Sequence, residues 1–264
     1  MAQKINASYF VDTTAEALAH RTARYLVDRV VEAVAARGRG RIAISGGNTP
    51  KRTFELLAEP PYREQMPWEK LDLYWVDERA VPPTDADSNY RMTREALLDK
   101  VPLREEQIFR IHGELDPEKA AAQYELDIRR SFRLEGAQMP VFDSVSLGMG
   151  PDGHTASLFP HTAALDETLR IAIANHVLSQ KDAWRVTLTW PVINQARDVF
   201  FLIAGADKAA PLKGVLLGAY DPHQLPSQLI RPQSGRLTLL LDRAAASLLP
   251  QPDAEGVGSL EIAR

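Results

Sequence analysis

Beyond Thr13, the apolar residues Leu18, Ala19, Tyr25, Leu26, Val30 and Val34 recur at the three- and four-residue spacing of one helical face, until Gly38 ends the run. Thr13 followed by Glu16 reads as a capping box, so the pattern predicts a long amphipathic first helix. Residues 41–45 follow as a short buried strand broken by Gly46-Gly47. Thr49-Pro50 then reopens a helix, with an N-cap residue and a proline in its first turn. The same grammar returns at 71–76 before Asp77-Glu78-Arg79, at 142–147 before a glycine-rich loop, and at 199–204 before Gly205-Ala206-Asp207-Lys208. Helices are predicted at about 89–99 and 116–134, and strands at 185–189 and 237–241. The tail after Pro250 reads as frayed.

Strands that alternate with helices and end in polar or glycine-rich loops predict an α/β chain with an open, mostly parallel sheet and helices on both faces, a three-layer αβα, Rossmann-like arrangement. In such a sheet the ligand crevice lies outside the carboxyl ends of the strands, so four loops far apart in sequence are expected to converge. No repeat, low-complexity tract or linker divides the chain, and residues 1–264 are expected to form a single domain.

Composition narrows the function. Hydrophobic residues at 45% and charged residues at 25% exclude a disordered chain. The 31 Lys and Arg against 35 Asp and Glu leave a formal charge of −4, so no basic field exists for nucleic acid or an anionic membrane, and an anionic ligand needs a local site. The absence of cysteine removes disulfides, thiolate metal sites and a cysteine nucleophile together. The N-terminus lacks the apolar core of a signal peptide, and the longest apolar run, near 199–206, is far too short to span a membrane. Residence in the cytoplasm is the resulting expectation.

The most informative stretch is Leu147-Gly148-Met149-Gly150-Pro151-Asp152-Gly153-His154-Thr155-Ala156-Ser157-Leu158-Phe159-Pro160, a histidine on a glycine-rich loop directly after a strand. Gly148, Gly150 and Gly153 satisfy the spacing of a dinucleotide fingerprint. The carboxylate that would hold the ribose is missing from its place, however: Asp166 and Glu167 come too early, and Pro151 and His154 crowd the turn. His154 is the candidate general base, because unperturbed imidazole titrates near neutrality, and Asp152 is placed to orient its ring. Gly46, Gly47, Asn48 and Thr49 lie at a predicted helix N-terminus, where free N–H groups favour a phosphate, although an ordinary βα turn uses the same residues. Arg79 and Lys208 are candidate cations for that phosphate; taken singly, each also fits a solvated loop. Asp77 and Glu78 are read as structural or positioning groups. His20, His112, His161, His176 and His223 have no comparable setting. No metal-ligand spacing and no Gly-x-Ser-x-Gly elbow occurs.

Together, Ile44-Ser45-Gly46-Gly47-Asn48-Thr49-Pro50, Trp75-Val76-Asp77-Glu78-Arg79-Ala80-Val81, Asp87-Ser88-Asn89-Tyr90 and the 147–160 block closely resemble the 6-phosphogluconolactonase family, as do later segments at 185–189, 205–208 and 225–230. The resemblance implies the fold of glucosamine-6-phosphate deaminase and hydrolysis of 6-phosphogluconolactone in the oxidative pentose phosphate pathway. No cofactor or metal is implied, and the protein is expected to be a monomer or homodimer. Carried over by position, His154 would activate water for attack on the lactone carbonyl. Gly46, Gly47, Asn48, Thr49, Arg79 and Lys208 would surround the phosphate, with Arg231 a weaker addition. The rival readings are an amino-sugar-phosphate deaminase or isomerase, which shares the Asp-Gly-His core, and a sugar-phosphate sensor without chemistry.

Overall fold

The computed structural model of the chain describes residues 5–179 and 183–262. Its elements follow in order as β1 (Ile5–Asp12), α1 (Ala15–Arg37), β2 (Gly40–Ile44), α2 (Asn48–Leu57), α3 (Tyr62–Gln65), β3 (Leu71–Trp75), β4 (Asp77–Arg79), α4 (Asn89–Ala96), β5 (Ile108–Phe109) and α5 (Pro117–Phe132). The second half supplies β6 (Ser144–Leu147), β7 (Ala172–Val177), β8 (Ala183–Leu188), α6 (Trp190–Asn194), β9 (Asp198–Ile203), α7 (Ala209–Leu217), β10 (Arg236–Asp242) and β11 (Val257–Ile262). Eight strands make one sheet in the order β11-β1-β10-β9-β6-β2-β3-β5, parallel throughout except where β11 runs against β1. Every residue of β3 and β9 is buried, as expected of strands covered on both faces. A second sheet, β4-β8-β7, is antiparallel.

The chain winds from β2 to β3 and β5 in one direction, and from β6 to β9 and β10 in the other, with the first strand β1 inserted between β10 and β11. The order therefore reverses between β2 and β6, which pair through Ile42 with Ser144 and Ala43 with Val145. This is the switch point at which an open α/β sheet leaves a crevice. Tyr124 of α5 pins the neighbouring strand end: its hydroxyl donates to the Trp75 carbonyl at 2.6 Å and accepts from the Trp75 N–H at 3.0 Å. That anchor lies two residues before Asp77.

Three local expectations need correction. The cap of α1 is Thr14, whose hydroxyl accepts from Ala17 N–H at 3.1 Å, so Thr13 and Glu16 do not form a box there. Helix α2 begins at Asn48 behind Gly47, whose φ of 110° is open to glycine; Thr49 lies within the first turn, and no side chain caps its amides. The tail is not frayed, because Val257 to Ile262 pair residue by residue with Phe10 to Ile5 of β1. Most of β11 is only partly buried, which keeps its apolar period weak in the sequence, yet Ile262 is buried.

Deleting residues 251–264 should therefore lower stability by at least the burial of Ile262, about 1.5–3 kcal/mol, and bare the edge of β1. The urea midpoint and light scattering measure both effects; a truncated chain that melts with the full one and stays monodisperse would assign β11 no role in the fold.

Candidate active site

Loops after β2, β6 and β9, with β4 and β8 alongside, enclose a cleft of about 280 Å³. Its lining includes Gly46, Gly47, Asn48, Thr49, Arg79, His154 and Lys208, all singled out from the sequence. The four loops thus meet as the topology requires. It also includes Asp77, Asn89, Ala156 and Arg185, which sequence reasoning did not assign to ligand binding. Arg231 is not part of it. That side chain is buried, with Nε donating to the Gln228 carbonyl at 2.9 Å and its guanidinium 4.8 Å from the Tyr220 ring centre. The same segment reaches the site through Ser227 instead, whose N–H and hydroxyl both donate to Gly153 O, at 2.9 and 2.8 Å.

His154 is held on three sides. Its Nδ1 lies 2.5 Å from Asp152 Oδ1, its ring stacks on Phe159 with centres 3.9 Å apart, and its carbonyl accepts from Gly150 N–H at 2.9 Å. The carboxylate accepts the Nδ1 proton, which leaves Nε2 as the basic nitrogen. Gly150 is required by packing: a Cβ there would fall inside the His154 ring and against the Asp152 carboxylate. Burial pushes the Asp152 carboxyl up, but hydrogen bonds from the His154 side chain and backbone, with the imidazole charge, outweigh it and hold the group below its ordinary range.

The acidic pair after β3 is scaffolding, as expected. Asp77 Oδ2 accepts from Ser157 Oγ at 2.7 Å and so fixes the turn that follows the histidine. Glu78 is buried and accepts from the amides of Arg79, Asn89 and Tyr90 at 2.7, 2.8 and 2.8 Å, and from Ser88 Oγ at 3.0 Å. Burial pushes its carboxyl up and the amides draw it back, leaving it raised. A carboxylate at the start of α4 also complements the helix dipole. Asn89, fixed there, donates to the Asp77 carbonyl at 3.0 Å and occupies the space that a side chain at Gly46 would need.

The cleft is cationic although the chain is acidic. Arg79 and Arg185 face each other directly across β4 and β8, an arrangement of like charges that costs stability in the absence of an anion between them. Among the described residues neither is ion-paired, and the Nε of each is buried without a hydrogen bond; one Arg79 terminal nitrogen donates to the Asp87 carbonyl. Desolvation pulls the Arg185 guanidinium down from its ordinary value; the Asp77 carboxylate opposes the shift and the Arg79 charge adds to it. Lys208 pairs with Asp207 at 2.9 Å. The described residues contain no cluster of three or more His, Cys, Asp or Glu suited to a metal, and no helix long and apolar enough to cross a membrane.

The model of a family described as glucosamine-6-phosphate isomerases/6-phosphogluconolactonase matches residues 13–239. A 6-phosphogluconolactonase of Synechocystis is 45% identical over 222 residues, covering 84% of this chain and 89% of that protein. One from Haemophilus influenzae is 36% identical, covering 86% and 97%. The chain belongs to this family. Among solved structures, the 6-phosphogluconolactonase of Trypanosoma cruzi superposes with a TM-score of 0.80 at 32% identity, over 91% of this chain and 96% of that one. A monomeric glucosamine-6-phosphate deaminase at 20% identity and a TM-score of 0.77 shares the fold, with 91% and 99% covered. The family resemblance carried by the four sequence motifs is borne out, as is the α/β fold with its mostly parallel sheet.

Two measurements probe the histidine's setting. Gly150→Ala should displace the His154–Asp152 pair and reduce kcat by about tenfold or more while the far-UV spectrum is unchanged; full activity would mean that the loop yields freely. Because the folded Asp152 value lies below the unfolded one, its pairing stabilises above the unfolded carboxylate range and is lost as pH falls through the folded value. The stability gap between wild type and Asp152→Asn should accordingly be largest near neutrality and close in acid; a gap that widens on acidification would reverse the assignment.

Proposed function

We propose that this chain hydrolyses 6-phospho-D-glucono-1,5-lactone to 6-phospho-D-gluconate, with His154 as the general base. The observation that carries the reading is an imidazole whose Nδ1 is tied to Asp152 at 2.5 Å and which lines a cationic cleft. Kinship with 6-phosphogluconolactonases supports it independently.

In this reading the sugar's phosphate, close to a dianion at neutral pH, lies between Arg79 and Arg185, with Lys208 and the uncapped amides of α2 completing its shell. Binding the phosphate relieves the repulsion between the two arginines. A water next to His154 gives one proton to Nε2 as its oxygen bonds to the lactone carbonyl carbon. Asp152 stabilises the imidazolium that forms. The tetrahedral oxyanion then collapses, the bond from carbon to ring oxygen breaks, and the ring oxygen takes the proton back from Nε2. The products are a carboxylate, a free hydroxyl and one released proton. A lactone is an activated ester, so a positioned base and an anchored phosphate suffice without a covalent intermediate. The chain works in this account in the cytoplasm, without a cofactor, as a monomer or homodimer.

Lactone generated fresh by glucose-6-phosphate dehydrogenase should disappear far faster with wild type than in an enzyme-free blank, and His154→Ala should lose about 10²–10⁴-fold in kcat. Wild type at the blank rate would refute the function; an unaffected His154→Ala would refute the mechanism. Replacing Arg79 or Lys208 by alanine should cost about 1.5–3 kcal/mol in binding the phosphorylated lactone, and little with glucono-1,5-lactone. Equal losses on both substrates would contradict the phosphate assignment.

A further inference from the structure

Ala156 stands two residues after the candidate base, lines the cleft, and has a φ of +48°. Left-handed backbone is the province of glycine, and the same site uses glycine at its other bends of positive φ: Gly47 at 110°, Gly153 at 75° and Gly205 at 104°. Among the described residues, two further non-glycine residues have positive φ. Arg133 closes α5, a usual place for that conformation, and His161 has a ring nitrogen 2.9 Å from Gln224 Oε1. Ala156 ends no helix and has no polar side-chain atom with which to offset the strain.

The surroundings enforce the conformation. On one side Thr155 Oγ1 donates to the Gly148 carbonyl at 2.8 Å. On the other, Ser157 N–H donates to Thr187 Oγ1 at 3.2 Å and Ser157 Oγ to Asp77 at 2.7 Å. Leu158 N–H closes the turn on the Thr155 carbonyl at 2.9 Å, and the chain then delivers Phe159 onto the His154 ring. Glycine would make this turn with less strain. What alanine adds is one methyl group, at a residue that lines the cleft and is also packed in part against the hydrophobic core. Strain kept at a functional position where an easier residue fits is a sign of use.

We propose that Ala156 is a specificity-determining residue: its methyl is a fixed steric stop against which the ring of the bound sugar lactone rests, setting the distance of the carbonyl from His154. The proposal rests on the lactonase reading above.

Two variants test it from opposite sides. Ala156→Gly removes the stop and relaxes the backbone. It should raise or preserve Tm yet lower kcat/KM for 6-phosphogluconolactone by about tenfold or more, as the loss of one methyl contact in a binding pocket does. Ala156→Asn tolerates left-handed backbone but thickens the wall, and should keep Tm while raising KM by a similar factor. Unchanged kinetics in either variant would overturn the proposal, and so would a lower Tm in Ala156→Gly, which would make the methyl a device for stiffening the loop. Wild type is assayed alongside: if it fails to turn over the lactone, the function itself falls, whereas an active wild type matched by both variants removes only the role of Ala156.

Discussion

The site is organised around the 2.5 Å hydrogen bond between His154 Nδ1 and Asp152 Oδ1. It selects the tautomer with a basic Nε2 and supplies the charge that stabilises a proton taken up there. Its geometry is dictated from outside the pair. Gly150 leaves room for it, Phe159 lies flat on the imidazole, Ser227 ties down Gly153, and Asp77 grips Ser157 in the turn beyond. A loop with this many glycines would otherwise hold a histidine loosely.

The fold brings charge to that loop in a specific way. The parallel sheet delivers three loops to one switch point, while the small antiparallel sheet contributes the acidic scaffold and two arginines placed opposite each other. Glu78 spends its acceptors on the amides of Arg79, Asn89 and Tyr90, so a buried carboxylate orders the start of α4 and, through Asn89, the approach to Gly46. A chain with a formal charge of −4 thereby gathers Arg79, Arg185 and Lys208 around one cleft.

What could be read in advance follows from how local each signal is. The strands ending at residues 44, 75, 147 and 203 are short apolar runs followed within two residues by glycine or charge, so they and the histidine loop were legible. The partnership of Arg185 with Arg79 was not, because it exists only when β8 lies beside β4, and within its own strand Arg185 is an ordinary alternating polar position. Arg231, expected as a weaker addition near the phosphate, follows a segment that does touch the histidine loop, but its own side chain is buried beside Tyr220, outside the lining of the cleft. The edge strand β11 was missed since a strand covered on so little of its surface has almost no period to detect. The start of α2 was misplaced by a residue or two because Thr49-Pro50 imitates a cap, and only the positive φ of Gly47 puts the boundary earlier.

The most direct test of the central interaction is the tautomer of His154 itself, read near neutral pH from long-range ¹H–¹⁵N correlations of the imidazole nitrogens and assigned by comparison with His154→Ala. The account predicts a proton on Nδ1 and a bare Nε2 in wild type, with that preference lost in Asp152→Asn. A wild-type ring protonated on Nε2 alone would leave no base where the substrate binds, and would contradict it.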